Sequence, residues 1–266
     1  TTYIFLIIAL VWTIFPVYWM IKSSITVISE MYVARPSLIA KHYTFENYVD
    51  LFTKTEFPRA LLNSLMIAFL TTVCCLLISI LGSYAMTRLK YPGRRFFKTS
   101  IIFSYLIPTA VLFVPMYVFV SKLGFYDNKW ALLIIYPTTV VPYCCYMLMS
   151  YFKAIPYALE EAALIDGCTR MKSLRYIITP IALPGIAVVA TFAFTMSWNE
   201  YLYAMIMTTS PVQQTAVVAI SSFKYADSAI WGRIMAASVL TSLPVTIIYI
   251  VAQAQLISGK SDGSVK

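Results

Sequence analysis

The chain has 266 residues, of which 60% are hydrophobic and only 12% are charged, and its formal net charge is +9. With a mean hydropathy of +0.78, it has too few charged side chains to cover the surface of a water-soluble protein of this length. These values exclude a soluble globular domain and indicate an integral membrane protein. Because the first residue is Thr1, we expect further residues before it.

Six apolar runs follow one another, each about as long as a helix that crosses roughly 30 Å of hydrocarbon. They cover residues 3–22, 61–87, 99–120, 130–152, 180–206 and 233–257. Prolines lie inside or at the ends of these runs, at Pro16, Pro108, Pro115, Pro137, Pro142, Pro184 and Pro244. We therefore predict an all-α polytopic membrane protein, a single domain over residues 1–266 with six transmembrane helices, several of them kinked.

The basic residues indicate how these helices are oriented in the membrane. More than half of the 20 Lys and Arg residues lie in the short connection after the second run, in residues 153–179 and in the tail that carries Lys260 and Lys266. Basic loops face the cytoplasm. Both termini and residues 153–179 are therefore predicted to be cytoplasmic, and residues 24–59, 121–129 and 207–232 external.

Residues 153–179 form a short amphipathic stretch between two apolar runs. Pro156 suits the first turn of a helix, and Asp166-Gly167 provides a stop after about three turns. A second short helix can begin at Thr169 and run to Pro180. Small residues near the turn leave room for another protein to approach closely: Ala162, Ala163 and Gly167. We predict that this stretch is a docking element.

Residues for catalysis or metal binding are missing. The chain has one histidine, His42, in a polar connection where we expect it to be exposed, and it has no HExxH or GxSxG motif and no pair of acids within one run. The five cysteines predict neither a disulfide framework nor a metal site. Gly259-Lys260-Ser261 resembles the end of a phosphate-binding loop, but Ala254 replaces the required glycine and an apolar helix precedes it. We predict no catalytic residue and no metal site.

One polar group lies inside the fifth run, at Ser197-Trp198-Asn199-Glu200. An acid within a membrane helix is usually functional, which would place Glu200 on a polar pathway. Alternatively, Glu200 lies at the outer headgroup level, with aromatic neighbours Trp198, Tyr201 and Tyr203 forming an interfacial belt. Both interpretations stay open, and in both the group faces a polar pathway or a neighbouring helix. Residues 207–232 likewise have two interpretations, as a cap on the helices or as a contact with a partner.

The spacing within residues 153–184 resembles a known motif. Glu161-Ala162-Ala163 is followed after three residues by Gly167, and after nine more by Ile177 and Pro180, as in the EAA loop of binding-protein-dependent ABC importer permeases. Further segments resemble the carbohydrate branch of that family, most closely its maltose permease MalG-like members: Asp166-Gly167, Trp198-Asn199-Glu200, Tyr91-Pro92-Gly93 and Gly263-Ser264-Val265-Lys266. Two residues depart from the pattern, Cys168 in place of alanine and Thr179 in place of leucine.

The resemblance implies a type I ABC importer permease fold in which the EAA loop, residues 153–179, forms a cytoplasmic coupling helix. Glu161 would contact a cytoplasmic ATPase, Ala162 and Ala163 would pack in its cleft, and Asp166-Gly167 would form the turn. ATP and Mg²⁺ would bind to the partner ATPase, so this chain would have no cofactor and no enzymatic activity of its own.

The resemblance also implies an assembly in a bacterial cytoplasmic (inner) membrane. Its other members would be a second homologous permease that forms a heterodimer with this chain, two copies of the ATPase and an extracytoplasmic solute-binding protein; no nucleic acid is expected. The loop 207–232 would contact the binding protein, with Gln213, Gln214 and Ser222 as candidate contacts.

A sugar or oligosaccharide is the expected cargo, delivered by the binding protein and moved by alternating access. Trp198, Asn199, Glu200 and Tyr203 are candidates for the substrate path, because aromatic faces stack on pyranose rings and polar groups bond to hydroxyls. The outer basic residues Lys22, Lys224 and Arg233 leave an acidic oligosaccharide open. The alternatives are a permease for a non-sugar solute, an ion-coupled secondary transporter and a polytopic membrane enzyme.

Overall fold

The computed structural model describes residues 2–33, 35–223 and 231–261, with side chains described as far as Gln253. Lys224, the motif Gly263-Ser264-Val265-Lys266 and the side chain of Lys260 lie outside the described residues. The regular elements of the described part are helices. A single antiparallel bridge joins Thr26 to Tyr43.

The α-helices follow one another along the chain with short connections between most of them. In order, they are α1 (Thr2–Ser24), α2 (Ile28–Met31), α3 (Glu46–Thr53), α4 (Phe57–Arg88), α5 (Arg94–Leu106), α6 (Thr109–Lys122), α7 (Leu132–Ala154), α8 (Tyr157–Ile165), α9 (Arg170–Ser173), α10 (Thr179–Ile181), α11 (Leu183–Trp198), α12 (Leu202–Met207), α13 (Ala216–Ser222) and α14 (Trp231–Ser261). A 3₁₀ turn, Lys129–Ala131, precedes α7, and a π-helical segment, Leu174–Ile178, joins α9 to α10.

Within the described residues, four helices are long and apolar enough to cross a membrane, and the number reaches six if each of two bent pairs counts as one span. The four are α1, α4, α7 with its 3₁₀ turn, and residues 231–253 of α14. Their limits run close to the first, second, fourth and sixth apolar runs. α4 begins earlier than the second run, since Pro58 occupies its first turn, where the missing N–H is not needed.

The third apolar run contains a break. α5 and α6 meet at 98° around Ile107 and Pro108. Ile107 is extended, with φ −70° and ψ 122°, as expected before a proline that disfavours helical backbone at the preceding residue. The bend at Pro108 is therefore far larger than the kink that the sequence predicts.

The fifth apolar run, residues 180–206, is divided as well. The helical stretch Arg170–Ile181 meets α11 at 82°, close to Pro180 and Pro184. α11 ends at Trp198, and the chain becomes helical again only at Leu202, where α12 begins. Residues 199–201 thus interrupt the predicted span at the group that the sequence singles out.

The chain divides into two compact units, with two boundaries inside α4 and α14 and a third between α12 and α13. Unit 1 contains residues 1–63 and 210–246. In its core, α3, α13 and the facing ends of α4 and α14 pack together through Leu51, Phe57, Ala60, Ala216, Ala219, Ala236 and Ala237. An ion pair joins Arg233 to Asp50 over 2.6 Å, and Lys54 lies 2.7 Å from the same carboxylate.

Unit 2 contains residues 64–209 and 247–266. α5 and α11 both pack against α7, whose buried face runs from Leu132 to Phe152. The core of this unit reaches from α4 through α7 to the π segment and α11, and it includes Cys75, Val140, Cys144, Leu148, Phe152, Leu174, Ile178 and Val189. The π segment between α9 and α10 is therefore part of this close-packed core. This division into units does not test the predicted single domain over residues 1–266, which stays a prediction.

Candidate functional site

α8 has well-defined ends at the positions that the sequence predicts. Pro156 immediately precedes its first residue, and Asp166 follows its last. Gly167 has φ +85°, and two backbone hydrogen bonds close the end, from Gly167 N to Leu164 O (3.2 Å) and from Cys168 N to Ala163 O (2.9 Å). This pattern is a Schellman motif, which requires a left-handed residue at the position of Gly167. The predicted stop at Asp166-Gly167 is therefore present.

The second short helix begins where the sequence predicts it. The hydroxyl of Thr169 accepts a hydrogen bond from Lys172 N over 3.3 Å and so caps α9. The helix then widens into the π segment before Pro180. α8 packs against both α9 and the π segment, so the turn at Gly167 connects two elements that support each other.

One face of α8 is open to solvent. Glu161, Ala162, Asp166 and Gly167 are exposed, and Ile165 is 85% exposed. A Cβ atom on Gly167 would meet nothing within 4 Å. An exposed apolar side chain beside small residues gives this face the shape and chemistry of a contact surface.

Ala163 differs from the expectation that it packs in the cleft of a partner. It is only 4% exposed and faces the rest of its own unit. Its position follows from helix geometry, since residues 160 and 163 lie three apart and share a face. Ala163 allows α8 to pack closely onto this chain, and the exposed face of the helix comprises Glu161, Ala162, Ile165 and Asp166 with the turn at Gly167.

The buried face of α8 holds an acid that the sequence analysis did not single out. Glu160 is 5% exposed. The hydroxyl of Tyr84 on α4 donates to its Oε1 over 2.5 Å, and Nε of Arg88 lies 3.8 Å from its Oε2. The side chains of Arg88 and Glu160 are 0% and 6% exposed, respectively. A buried acid is tolerated when a cation and a hydrogen-bond donor face it, as they do here.

Arg88 joins three helix ends. Its Nη2 donates to the carbonyls of Phe152 and, over 2.6 Å, Ile155 at the end of α7. Its guanidinium lies 4.2 Å from the ring centre of Tyr157 in the first turn of α8. The hydroxyl of Tyr157 in turn donates to Thr87 O over 2.6 Å. A planar cation with five donors suits such a junction, because it also stacks on an aromatic face.

A further arginine completes the C-terminal end of α4. Arg94 donates to the carbonyls of Met86, Thr87 and Leu89 over 2.8–3.0 Å, and these are the groups that a helix end leaves without partners. A cavity of about 890 Å³ lies beside this junction. Its lining includes Arg88, Lys90, Arg94 and Arg170 together with Glu160 and Glu161.

A signal for Glu160 and Arg88 is present in the sequence. Arg88 is the first charged residue after the second apolar run, and Tyr157, Glu160 and Leu164 recur at intervals of three and four, which places them on one helix face. Each residue advances about 100° around a helix, so adjacent Glu160 and Glu161 point in different directions. Which of the two is buried depends on the packing of α8.

The structure brings the polar group of the fifth run together around a helix start. Oε1 of Glu200 accepts a hydrogen bond from Tyr203 N over 3.0 Å, and Oε2 accepts one from Ala204 N over 3.1 Å. Glu200 therefore caps the first turn of α12, where an anion is favoured. Neither interpretation of Glu200 from the sequence includes this capping role.

The neighbours of Glu200 are mostly buried. Trp198 is 2% exposed and stacks on Phe194, with ring centres 5.5 Å apart. Tyr203 is 3% exposed, and its hydroxyl donates to Thr109 O over 3.2 Å. Of the four substrate-path candidates only Asn199 is exposed, while Glu200 is partly buried.

The candidates for binding-protein contact lie in unit 1. Gln213 and Gln214 are partly buried before α13, and Nδ2 of Asn63 donates to Val212 O and Gln214 O over 3.1 and 2.9 Å. Ser222, at the end of α13, is exposed. α13 packs into the core of its unit through Ala216 and Ala219. The helix therefore packs into unit 1, and Ser222 lies on its exposed side.

The cations that the sequence assigns to the outer side differ in their surroundings. Lys22 is 5% exposed, with its ammonium 4.6 Å from the ring centre of Trp19, and Arg233 pairs with Asp50. His42 is 77% exposed and binds Glu30 through Nδ1 over 2.6 Å, as expected for a surface loop. Arg233 therefore shares the Asp50 carboxylate with Lys54.

Comparison with known proteins gives consistent matches over most of the chain. Residues 78–260 match the family model described as "Binding-protein-dependent transport system inner membrane component". The inner membrane ABC transporter permease protein YcjP of Escherichia coli (strain K12) is 36% identical, covering 97% of this chain and 92% of its own. The trehalose/maltose transport system permease protein MalG of Thermococcus litoralis is 33% identical, covering 95% and 91%.

Two further matches concern substrate and fold. The sulfoquinovosyl glycerol transport system permease protein SmoH of Agrobacterium fabrum is 32% identical, covering 95% of this chain and 89% of its own. A solved bacterial ABC transporter involved in the import of the acidic polysaccharide alginate superposes with a TM-score of 0.85 at 21% identity, covering 95% of this chain and 94% of that one.

Proposed function

Given that this chain belongs to the family of inner membrane components of binding-protein-dependent transport systems, we propose that it works as a permease subunit of an ATP-driven importer for a sugar or oligosaccharide. The chain is a multi-pass membrane protein with the predicted type I importer permease fold. The observation that carries the mechanism is the exposed face of α8, whose opposite face, with Glu160 and Ala163, is buried against this chain.

The sugar assignment draws on the relatives. They include permeases named for trehalose and maltose, for sulfoquinovosyl glycerol and for diacetylchitobiose, at 29–33% identity over nearly the whole chain. Neutral and acidic sugars both occur in these names.

The proposed mechanism transmits movement without chemistry in this chain. Two cytoplasmic ATPases bind ATP and Mg²⁺ and close, and their clefts carry α8 with them through Glu161, Ala162 and Ile165. Hydrolysis reverses the motion. Because a ligand shifts an equilibrium only by its different affinity for two states, ATP acts through the relative stability of inward-open and outward-open helices. The chain itself has no cofactor and no enzymatic activity in this scheme.

The proposed assembly has a defined orientation. The basic segment with α8 and both chain termini face the cytoplasm, and a second homologous permease encloses the path together with this chain. An extracytoplasmic binding protein delivers the sugar to the outer side, where Ser222 is the exposed contact candidate and Gln213 and Gln214 are partly accessible. We assign no nucleic acid partner.

The substrate path is proposed to run past the break between α11 and α12. Asn199 is exposed there and has amide groups that suit sugar hydroxyls. Trp198 and Tyr203 are buried behind it, so they shape the wall of the path while Glu200 fixes the start of α12. Direct stacking of a sugar on Trp198 would require a rearrangement of this wall.

Reconstitution tests the function. The transporter is purified through a tag on this chain and reconstituted in liposomes with its binding protein, and uptake of labelled maltose, trehalose and diacetylchitobiose is followed with and without ATP. We expect uptake that requires ATP and is insensitive to ionophores. Uptake driven by an ion gradient without ATP would identify a secondary transporter instead.

A further inference from the structure

The ion pair between Arg88 and Glu160 lies where three helices end. α4 ends at Arg88, α7 ends at Ala154, and α8 begins at Tyr157. Arg88 reaches the last carbonyls of α7 as well as the first turn of α8, and Tyr84 bonds to the same acid. The contacts are buried, with Arg88 5% and Tyr84 6% exposed.

Such a junction resists separation. Moving α8 away from α4 would break the pair of Glu160 and Arg88, whose side chains are 6% and 0% exposed, and separating a buried charge pair is far less favourable than separating an exposed one. It would also break the hydrogen bond from Tyr157 to Thr87 and the stacking of Arg88 on the Tyr157 ring. α8 is thus fastened to α4 by a charge pair, by hydrogen bonds and by an aromatic contact.

Glu161, the residue after Glu160, is exposed where Glu160 is buried. Glu161 and Ala162 are exposed and face away from this junction, while Glu160 is buried in it. The two adjacent acids therefore have different roles in α8. Glu161 faces outward, and Glu160 holds the helix to the membrane part of the chain. α4 is the longest helix of the described residues, with 32 residues, and so can carry a displacement of α8 deep into the membrane.

We propose that Glu160, Arg88 and Tyr84 form a latch that makes the cytoplasmic end of α4 move together with α8. Glu160 and Arg88 are positioning residues in this account: they touch no substrate, and they convert the displacement of α8 into a displacement of α4. The latch rests on the proposed function, because it needs a partner that moves α8.

The test compares Glu160→Gln and Tyr84→Phe with the parent transporter in liposomes. Glu160→Gln removes the charge of the pair, and Tyr84→Phe removes only one hydrogen bond, so the second variant keeps the test usable if the first folds poorly. Tyr91→Phe is the matched control, because Tyr91 lines the same cavity and its hydroxyl forms no hydrogen bond within the described residues. ATP hydrolysis, copurification of the ATPase, and maltose and trehalose uptake are measured for each.

We expect Glu160→Gln to retain the ATPase and to hydrolyse ATP, while sugar taken up per ATP falls at least about fivefold, the lower end of typical coupling between sites. Tyr84→Phe is expected to show a smaller fall, and Tyr91→Phe the parental ratio. A Glu160→Gln complex with the parental ratio of uptake to hydrolysis would overturn the latch.

Hydrogen exchange separates failure of the latch from failure of the proposed function. Between the nucleotide-free and the vanadate-trapped parent, amides of α8 and of residues 85–88 are expected to change protection together, and in Glu160→Gln only those of α8 should change. If residues 85–88 of the parent do not respond while α8 does, the latch is wrong and the importer function stands. If α8 responds to no nucleotide and no sugar enters the liposomes, the proposed function fails.

Discussion

The side-chain amide of Asn47 lies directly against the backbone of Gly232. A Cβ atom at position 232 would come within 2.7 Å of Nδ2 and closer still to Oδ1 and Cγ. Asn47 is 4% exposed, and its Nδ2 donates to the carbonyls of Ser24 and Thr26 over 3.0 and 3.2 Å. Glycine at 232 therefore leaves the space in which Asn47 secures the end of α1 to α3.

The first prediction concerns this contact. Gly232→Ala should displace the amide and leave buried carbonyls without donors, which lowers the free energy of unfolding by about 1–3 kcal/mol. Thermal unfolding in detergent measures the change. Gly82→Ala is the control, since its nearest side-chain atom would be 3.5 Å from the new Cβ and alanine is the better helix residue.

A double variant makes the cause specific. If the overlap with Asn47 is the cause, Gly232→Ala combined with Asn47→Ala should be little worse than Asn47→Ala alone, because the second substitution removes the clash. Fully additive losses would show that Gly232 is needed for another reason.

The second prediction concerns the turn after α8. Gly167→Ala should impose about 1–2 kcal/mol of backbone strain, because φ +85° is unfavourable for a residue with a Cβ atom. Gly167→Asn should be tolerated better, since asparagine adopts this conformation more readily. Both side chains have space, as a Cβ here meets nothing within 4 Å. Less ATPase should therefore copurify with Gly167→Ala than with Gly167→Asn. An equal loss of copurified ATPase in both variants would point to a steric cause.

The third prediction separates capping from charge at Glu200. Glu200→Ala removes the acceptors for Tyr203 N and Ala204 N and should lower stability by about 0.5–2 kcal/mol. Glu200→Gln keeps one acceptor oxygen without the charge, so uptake should be largely retained. If Gln stops uptake as completely as Ala does, the carboxylate acts on the substrate path and capping is secondary.

The fourth prediction concerns the pH dependence of the stability of α3, the helix that carries Asp50. The pKa of Asp50 is lowered from 3.8, first by the hydrogen bond with Lys54 and further by Arg233, although burial of the carboxylate opposes the shift. A lowered carboxylate pKa gives stability that is complete above the unfolded value and is lost as pH falls through the folded value. The protection factors of the α3 amides, which correct for the pH dependence of intrinsic exchange, should therefore stay high at pH 5 and fall only below about pH 4. In Asp50→Asn this fall in protection should disappear, and a persistent acid step would assign the effect to another group.

The sequence predicted the apolar helices well because apolar runs of about 20 residues have few alternatives in a membrane protein. α1, α4, α7 and α14 run close to the predicted limits. The breaks within the apolar runs were harder to predict from the sequence. Pro108 marks a break, but the apolar residues on both sides carry no information on its angle of 98°. Nothing in residues 174–178 predicts the π segment.

The candidate site shows the same limit at the scale of one residue. The turn at Gly167 and the cap at Thr169 could be predicted, since each rests on local backbone chemistry. Which of the adjacent acids is buried depends on Tyr84 and Arg88, more than 70 residues earlier in the chain. Contacts at such separation leave no periodic pattern, so the role of Glu160 required the structure.

The coupling role of α8 is tested most directly by Glu161→Lys combined with Gly167→Pro in the assembled transporter. Lysine reverses the charge on the exposed face of α8, and proline cannot adopt the positive φ that the turn requires. Sugar uptake and sugar-stimulated ATP hydrolysis are measured together, with membrane insertion as the control. We expect the double variant to be inserted in the membrane and to have lost both activities. Uptake and stimulated hydrolysis at parental levels would contradict it.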